Sequence, residues 1–155
     1  MLHLIPAPAH RIALRVAYRL RRRYRRMARP DIAGVAVILR DEAERVLLVR
    51  HSYGPEGWAI PGGGLGESED PAEAARREIA EELGVGLIDL ELLDTVTEQL
   101  SRSSHTAYIF TARPDGEPRV DGREIVEARW FAVAALPGLT ITPISKRRLR
   151  ERGML

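Results

Sequence analysis

A chain of 155 residues, 45% apolar and 30% charged, has the length of one domain and the composition of a folded globular protein, which excludes a disordered one. It has no cysteine, so disulfides, thiolate metal sites and cysteine nucleophiles are excluded and a reducing cytoplasm is the expected compartment. The net charge of +2 hides an asymmetry, with nine arginines and no acid in the first 30 residues against 15 basic and 22 acidic residues in the other 125.

The expected organisation is therefore a basic arm, residues 1–30, ahead of a domain over residues 31–155. Within the arm, residues 10–27 read as an amphipathic helix. Ile12, Val16, Leu20, Tyr24 and Met27 form one apolar stripe, and Arg11, Arg15, Arg19, Arg22, Arg23 and Arg26 cover much of the rest. Such a helix can pack on its own domain or on a second copy in a homodimer. It can also lie on an anionic membrane surface or touch nucleic acid. The arm is arginine-rich and acid-free like a transit peptide but lacks the serines.

The domain opens with the apolar, β-branched run Ile32–Leu39, a turn at residues 41–44 and a second buried strand over Val46–Val49, which together suggest a hairpin. The glycine density of Pro61-Gly62-Gly63-Gly64 predicts irregular backbone. Asp70 reads as an N-cap with Pro71 at the first helical position and Glu73 three residues on. The helix then runs to Leu83 and stops at Gly84. Strands are expected over residues 87–100, 106–112 and 125–131, and a last basic helix from Thr142-Pro143 to about Arg150.

The chemistry concentrates on the helix over 71–83. Glu78, Glu81 and Glu82 stand at i, i+3 and i+4, so their carboxylates share one face and repel. A solvated acidic face tolerates that crowding. A bound divalent cation turns it into an advantage, since clustered hard oxygens suit Mg²⁺ or Mn²⁺. The glycine loop directly upstream can approach a phosphate or metal closely, and Arg77 adds a cation beside the acids.

The spacing distinguishes these readings. Gly63, five residues, Glu69, seven residues, then Arg77-Glu78-Ile79-Ala80-Glu81-Glu82-Leu83-Gly84-Val85 resembles the Nudix box, with all nine fixed positions of that 23-residue pattern filled. The lead-in Trp58-Ala59-Ile60-Pro61-Gly62-Gly63-Gly64 agrees, as does the late segment Ala128-Arg129-Trp130-Phe131 before a leucine-proline pair. One departure is Gly66-Glu67-Ser68, where an acid and then a glycine are common. A local change of loop shape is expected there.

The resemblance implies an α/β fold, an α/β/α sandwich with a mixed sheet. It also implies Mg²⁺-dependent hydrolysis of a nucleoside diphosphate linked to another moiety. Glu78 and Glu82 would be the main metal ligands, Glu81 a further or water-bridged one, and the Gly62 carbonyl part of the shell. Arg77 would orient the carboxylates and Glu69 would support them from behind. The general base would be a box glutamate or one on a later loop, for which Glu124 is the candidate and Glu98, expected to be exposed, a weaker one. Arg50 could reach a phosphate, the Gly63 backbone could approach one, and Trp58 could stack on a base. A surface arginine and a core or rim tryptophan fit those two side chains as well. His51, His105 and Tyr53 are further pocket candidates that also fit structural roles.

The proline and the tyrosine that mark ADP-ribose and dinucleoside-polyphosphate hydrolases downstream of the box are missing from residues 100–104. A nucleotide sugar and a nucleoside triphosphate stay open as substrates. A non-catalytic nucleotide- or nucleic-acid-binding domain is the alternative function, but such domains usually lose box glutamates. An isomerase of the isopentenyl diphosphate type would need a cysteine.

Overall fold

A computed structural model of the chain describes residues 32–100, 103–120 and 122–155, preceded by residues 9, 12–14, 16 and 17 of the arm. Those six arm residues are helical. The remainder of the helix expected over 10–27, with Leu20, Tyr24 and Met27, lies outside the described residues. The elements are β1 (Ile32–Leu39), β2 (Val46–His51), β3 (Gly62–Gly64), α1 (Pro71–Leu83), β4 (Leu87–Leu100), β5 (Ser103–Pro114), β6 (Ile125–Phe131), a 3₁₀ turn (Val133–Gly138) and α2 (Pro143–Glu151). Among the described residues no helix is long and apolar enough to cross a membrane.

The strands form a four-stranded mixed sheet in the order β3-β1-β5-β4 and a two-stranded antiparallel sheet β2-β6. β1 runs parallel to β5 and antiparallel to β3. The first two strands read as continuous apolar runs because both of their faces are buried. Val35, Val37, Leu39, Leu47 and Val49 pack with Ala74, Ala75, Ile79 and Leu83 of α1. Ala36, Ile38, Val46 and Leu48 pack on the other side with Leu136, Ile141 and Leu149. Helix, sheet, helix is thus the layer order, an α/β/α sandwich with a mixed sheet.

Two local expectations are corrected. β1 and β2 are not a paired hairpin. Asp41 closes a tight turn by accepting from the Ala43 and Arg45 N–H groups at 3.0 and 2.9 Å, but beyond the single bridge Arg40–Val46 the strands part and join different sheets. Local sequence encoded the turn, while burial on both faces drew each strand to more distant partners. The glycines at 62–64 are a short strand instead of irregular backbone, with Gly62 opposite Ala36 and Gly64 opposite Gly34.

The helix α1 begins and ends where its caps dictate. Asp70 accepts from the N–H groups of Ala72 and Glu73 at 2.9 and 3.2 Å, with Pro71 in the first turn. Gly84 is left-handed at φ 65° and donates to the Ala80 carbonyl. In the departing loop, Ser68 adopts φ 60°. That is the backbone shape a glycine takes easily, adopted here by a serine where a glycine is common.

Candidate active site

The loop after β3 and the helix α1 are joined by one arginine. Arg77 Nε donates to Glu69 Oε1 at 2.9 Å and Nη2 donates to Glu69 Oε2 at 3.1 Å. The same Nη2 reaches the Gly64 carbonyl at 2.9 Å, and Nη1 donates to Glu78 Oε1 at 2.8 Å. Glu69 also accepts from the Gly66 N–H at 2.7 Å. Hydrogen bonds from Arg77 and then from Gly66 pull the Glu69 carboxyl from its ordinary value of 4.5 to about 2. Bonds to Glu69 and Glu78 hold the Arg77 guanidinium firmly protonated. Arg77 thus fixes Glu78 to the loop, and Glu69 fixes Arg77.

Glu78 lies directly over the loop backbone. A Cβ placed on Gly63 would collide with the Glu78 carboxylate, so glycine there lets the acid settle onto the main chain. Glu82, one turn further on, is buried and accepts from the Gly62 N–H at 3.1 Å. His51 Nε2, from the end of β2, lies 3.7 Å from its other oxygen. Burial raises the Glu82 carboxyl against the opposing pull of His51, and the charges of Glu78 and Glu124 raise it further. Glu78 is raised by burial as well, in spite of Arg77, with Glu81 and Glu124 adding to the effect. Glu81 stands at the exposed rim, 3.5 Å from Arg77 Nη1.

Glu124 belongs to this group by both geometry and field. It is half-buried in the loop before β6, accepts from the Tyr53 hydroxyl, and is held at the end of β2 by a bond from the Ser52 N–H to its carbonyl at 2.9 Å. Glu98, the weaker candidate, is buried where exposure was expected. Its two oxygens meet Arg147 at 2.7 Å and Arg148 at 3.3 Å. It anchors α2 to β4, which the strand's alternation alone did not reveal. His105 packs against Gly34, where a Cβ would stand 3.1 Å from its Nε2.

Arg50 and Trp58 are brought together with each other, and apart from the carboxylates. The Arg50 guanidinium lies 5.7 Å from the Trp58 ring and donates to Glu127 at 3.3 Å. Arg129 covers the same ring at 5.6 Å, and Phe131 meets it edge-on at 4.9 Å. Alternation along β2 puts Arg50 on the face turned from α1, and His51 on the face toward Glu82. Of the further pocket candidates, His51 and Tyr53, just past the apolar run of β2, lie beside Glu82 and Glu124 respectively.

Among the described residues, no three acidic or imidazole side chains converge closely enough to enclose a metal ion. The donor chemistry still fits a hard cation. Glu78 and Glu82 are carboxylates one helical turn apart beside glycine backbone, with burial and neighbouring acids opposing their charge. A cleft of about 640 Å³ bordered by Arg40, Asp41, Ile88, Arg113 and Trp130 lies at the far end of β1 and holds none of these groups.

Comparison with known proteins identifies the family of the chain. The chain is 34% identical over 102 residues to an RNA pyrophosphohydrolase of Teredinibacter turnerae, covering 66% of this chain and 56% of that protein. It is 30% identical over 118 residues to a putative 8-oxo-dGTP diphosphatase of Bacillus subtilis, covering 76% and 77%. A MutT NUDIX hydrolase from Burkholderia pseudomallei superposes with a TM-score of 0.69 at 29% identity, over 78% of this chain and 97% of that one. The NUDIX domain family model matches residues 30–152, and with that the chain belongs to the NUDIX family.

Proposed function

We propose that this chain is a divalent-cation-dependent hydrolase that splits a phosphoanhydride bond in a nucleoside diphosphate linked to another moiety. The observation that carries this reading is the intact chain of contacts from Glu69 through Arg77 to Glu78, with Glu82 anchored on Gly62 one turn away. A non-catalytic binding domain has no need to keep three mutually repelling glutamates, Glu78, Glu81 and Glu82, on one helix face.

Each residue has a part. Glu78 and Glu82 would hold the cation, with Glu81 and the Gly62 carbonyl as its further ligands. A bound Mg²⁺, or Mn²⁺ in its place, would neutralise the diphosphate and make an attacking water more acidic. Arg77 keeps Glu78 aimed at the loop and stays charged while doing so. Glu124, oriented by Tyr53, accepts the proton from the attacking water at its carboxylate. His51 and the Gly63 backbone would face the phosphates, and Arg50 and Trp58, which stand apart from the carboxylates, would reach only a moiety beyond them. The names of the relatives divide between nucleotide-based substrates, a triphosphate or an RNA end, and diphosphoinositol polyphosphates, so the pyrophosphate linkage is what they share.

The test is a panel of nucleoside triphosphates, oxidised triphosphates, nucleotide sugars, ADP-ribose, dinucleoside polyphosphates and 5′-triphosphorylated RNA, each with Mg²⁺ or Mn²⁺. Glu82→Gln is expected to lower kcat on the best substrate by about 10³, equivalent to roughly 4 kcal/mol of barrier. A Glu82→Gln protein as fast as the wild type would overturn the assignment. Nucleotide binding without turnover across the panel would favour the binding domain.

A further inference from the structure

All five large hydrophobic side chains exposed among the described residues lie on two segments. Ile88, Leu92 and Leu93, on the first half of β4, are 48%, 49% and 43% exposed, and Ile12 and Val16, on the arm, are 61% and 49% exposed. β4 is an edge strand of its sheet. Two register shifts, between Ile88 and Glu91 and between Leu92 and Asp94, together with the left-handed Asp89, break its alternation. The chain neighbours Leu92 and Leu93 consequently both face outward.

The two segments are opposite in charge. β4 carries Asp89, Glu91, Asp94 and Glu98 and no basic residue, while the first 30 residues carry nine arginines and no acid. Asp94 is engaged by Arg152, and Glu98 by the α2 arginines. Asp89 and Glu91 have no ion pair among the described residues.

We propose that the arm of a second copy of this chain docks its apolar stripe on Ile88, Leu92 and Leu93, with its arginines against Asp89 and Glu91. Within one chain Ile12 and Val16 stay exposed, so the chain's own domain does not cover them. Reciprocal exchange of arms closes a two-fold dimer in which both exposed apolar segments are covered twice. An edge strand left open is an aggregation hazard, and a basic helix laid along it removes that hazard.

The test is light scattering coupled to size exclusion, and sedimentation, on the full chain and three variants. These are a deletion of residues 1–28, the double substitution Leu92→Glu with Leu93→Glu, and the charge reversal Glu91→Arg at an exposed position. Circular dichroism melts check that each variant is folded. The wild type should be a dimer that weakens with added salt. The deletion and the leucine double variant should be monomers, and Glu91→Arg should raise the dimer dissociation constant roughly tenfold. Mixing the deletion with the leucine double variant should restore one arm–strand contact and give a heterodimer. A monomeric wild type overturns the proposal, whether its arm then sedimentates with phosphatidylserine vesicles or crosslinks to its own domain. A dimer that survives both arm deletion and the leucine changes overturns it equally.

Discussion

Adjacent glycines 62 and 63 are required for different reasons. Gly62 holds φ 153°, and a Cβ there would run into the Val35 carbonyl and stand 2.9 Å from the Ala36 Cα. Those neighbours are backbone of the central strand and cannot yield. At Gly63 the obstacle is the Glu78 carboxylate, the mobile end of a side chain. Gly62→Ala is therefore expected to cost stability, on the order of 1–3 kcal/mol for a strained backbone position, and to lower the melting temperature. Gly63→Ala should melt close to wild type yet lose most of its hydrolysis, because the carboxylate is pushed off the loop. Equal effects of the two substitutions on melting and on turnover would refute this division.

The helix α1 owes its limits to its caps, but its attachment to the loop rests on the Glu69–Arg77 pair. The carboxyl of Glu69 titrates near 2 in the folded chain against 4.5 ordinarily. A depressed carboxyl stabilises the fold above its ordinary value, and that contribution disappears as the pH falls from about 4.5 through about 2. Denaturation midpoints of wild type and Glu69→Gln, compared from about pH 6 down to about pH 2, should differ at the upper end and converge at the lower. A gap that stays constant over that range would mean the pair does not act through its charge.

For the whole molecule, the glutamate cluster opposes stability until a cation arrives. Glu78 and Glu82 are both raised by burial and by neighbouring acids. A ligand that binds the folded state alone stabilises it by about 2.7 kcal/mol at roughly 100 times its dissociation constant, a rise of about 5–10 °C for a domain of this size. Magnesium should produce such a rise in the wild type, and EDTA should abolish it. Glu82→Gln should melt higher than the wild type in EDTA, since a buried charge is gone, and should gain little from magnesium. A wild-type melting temperature indifferent to divalent ions would remove the cation from the proposed mechanism.

Much of the fold was legible because local rules decided it. Asp70, Pro71 and Gly84 mark the ends of α1, and the box spacing put five candidate site residues, Glu69, Arg77, Glu78, Glu81 and Glu82, on and before that helix. The apolar runs of β1 and β2 declared two strands, the second of them buried. Local chemistry could not choose strand partners, so the adjacent runs looked like a hairpin and the glycine segment looked irregular. Likewise, only packing decided that Glu98 is buried under two arginines, that Arg50 turns to Trp58, that His51 meets Glu82, and that Glu124 joins the field of the box glutamates with Tyr53 bonded to it. Spacing within one helix is fixed by its 3.6-residue period, whereas contacts between elements depend on which faces are buried together. The sequence by itself therefore determined the helix, its caps and its acidic face, and the tertiary structure decided what that face meets.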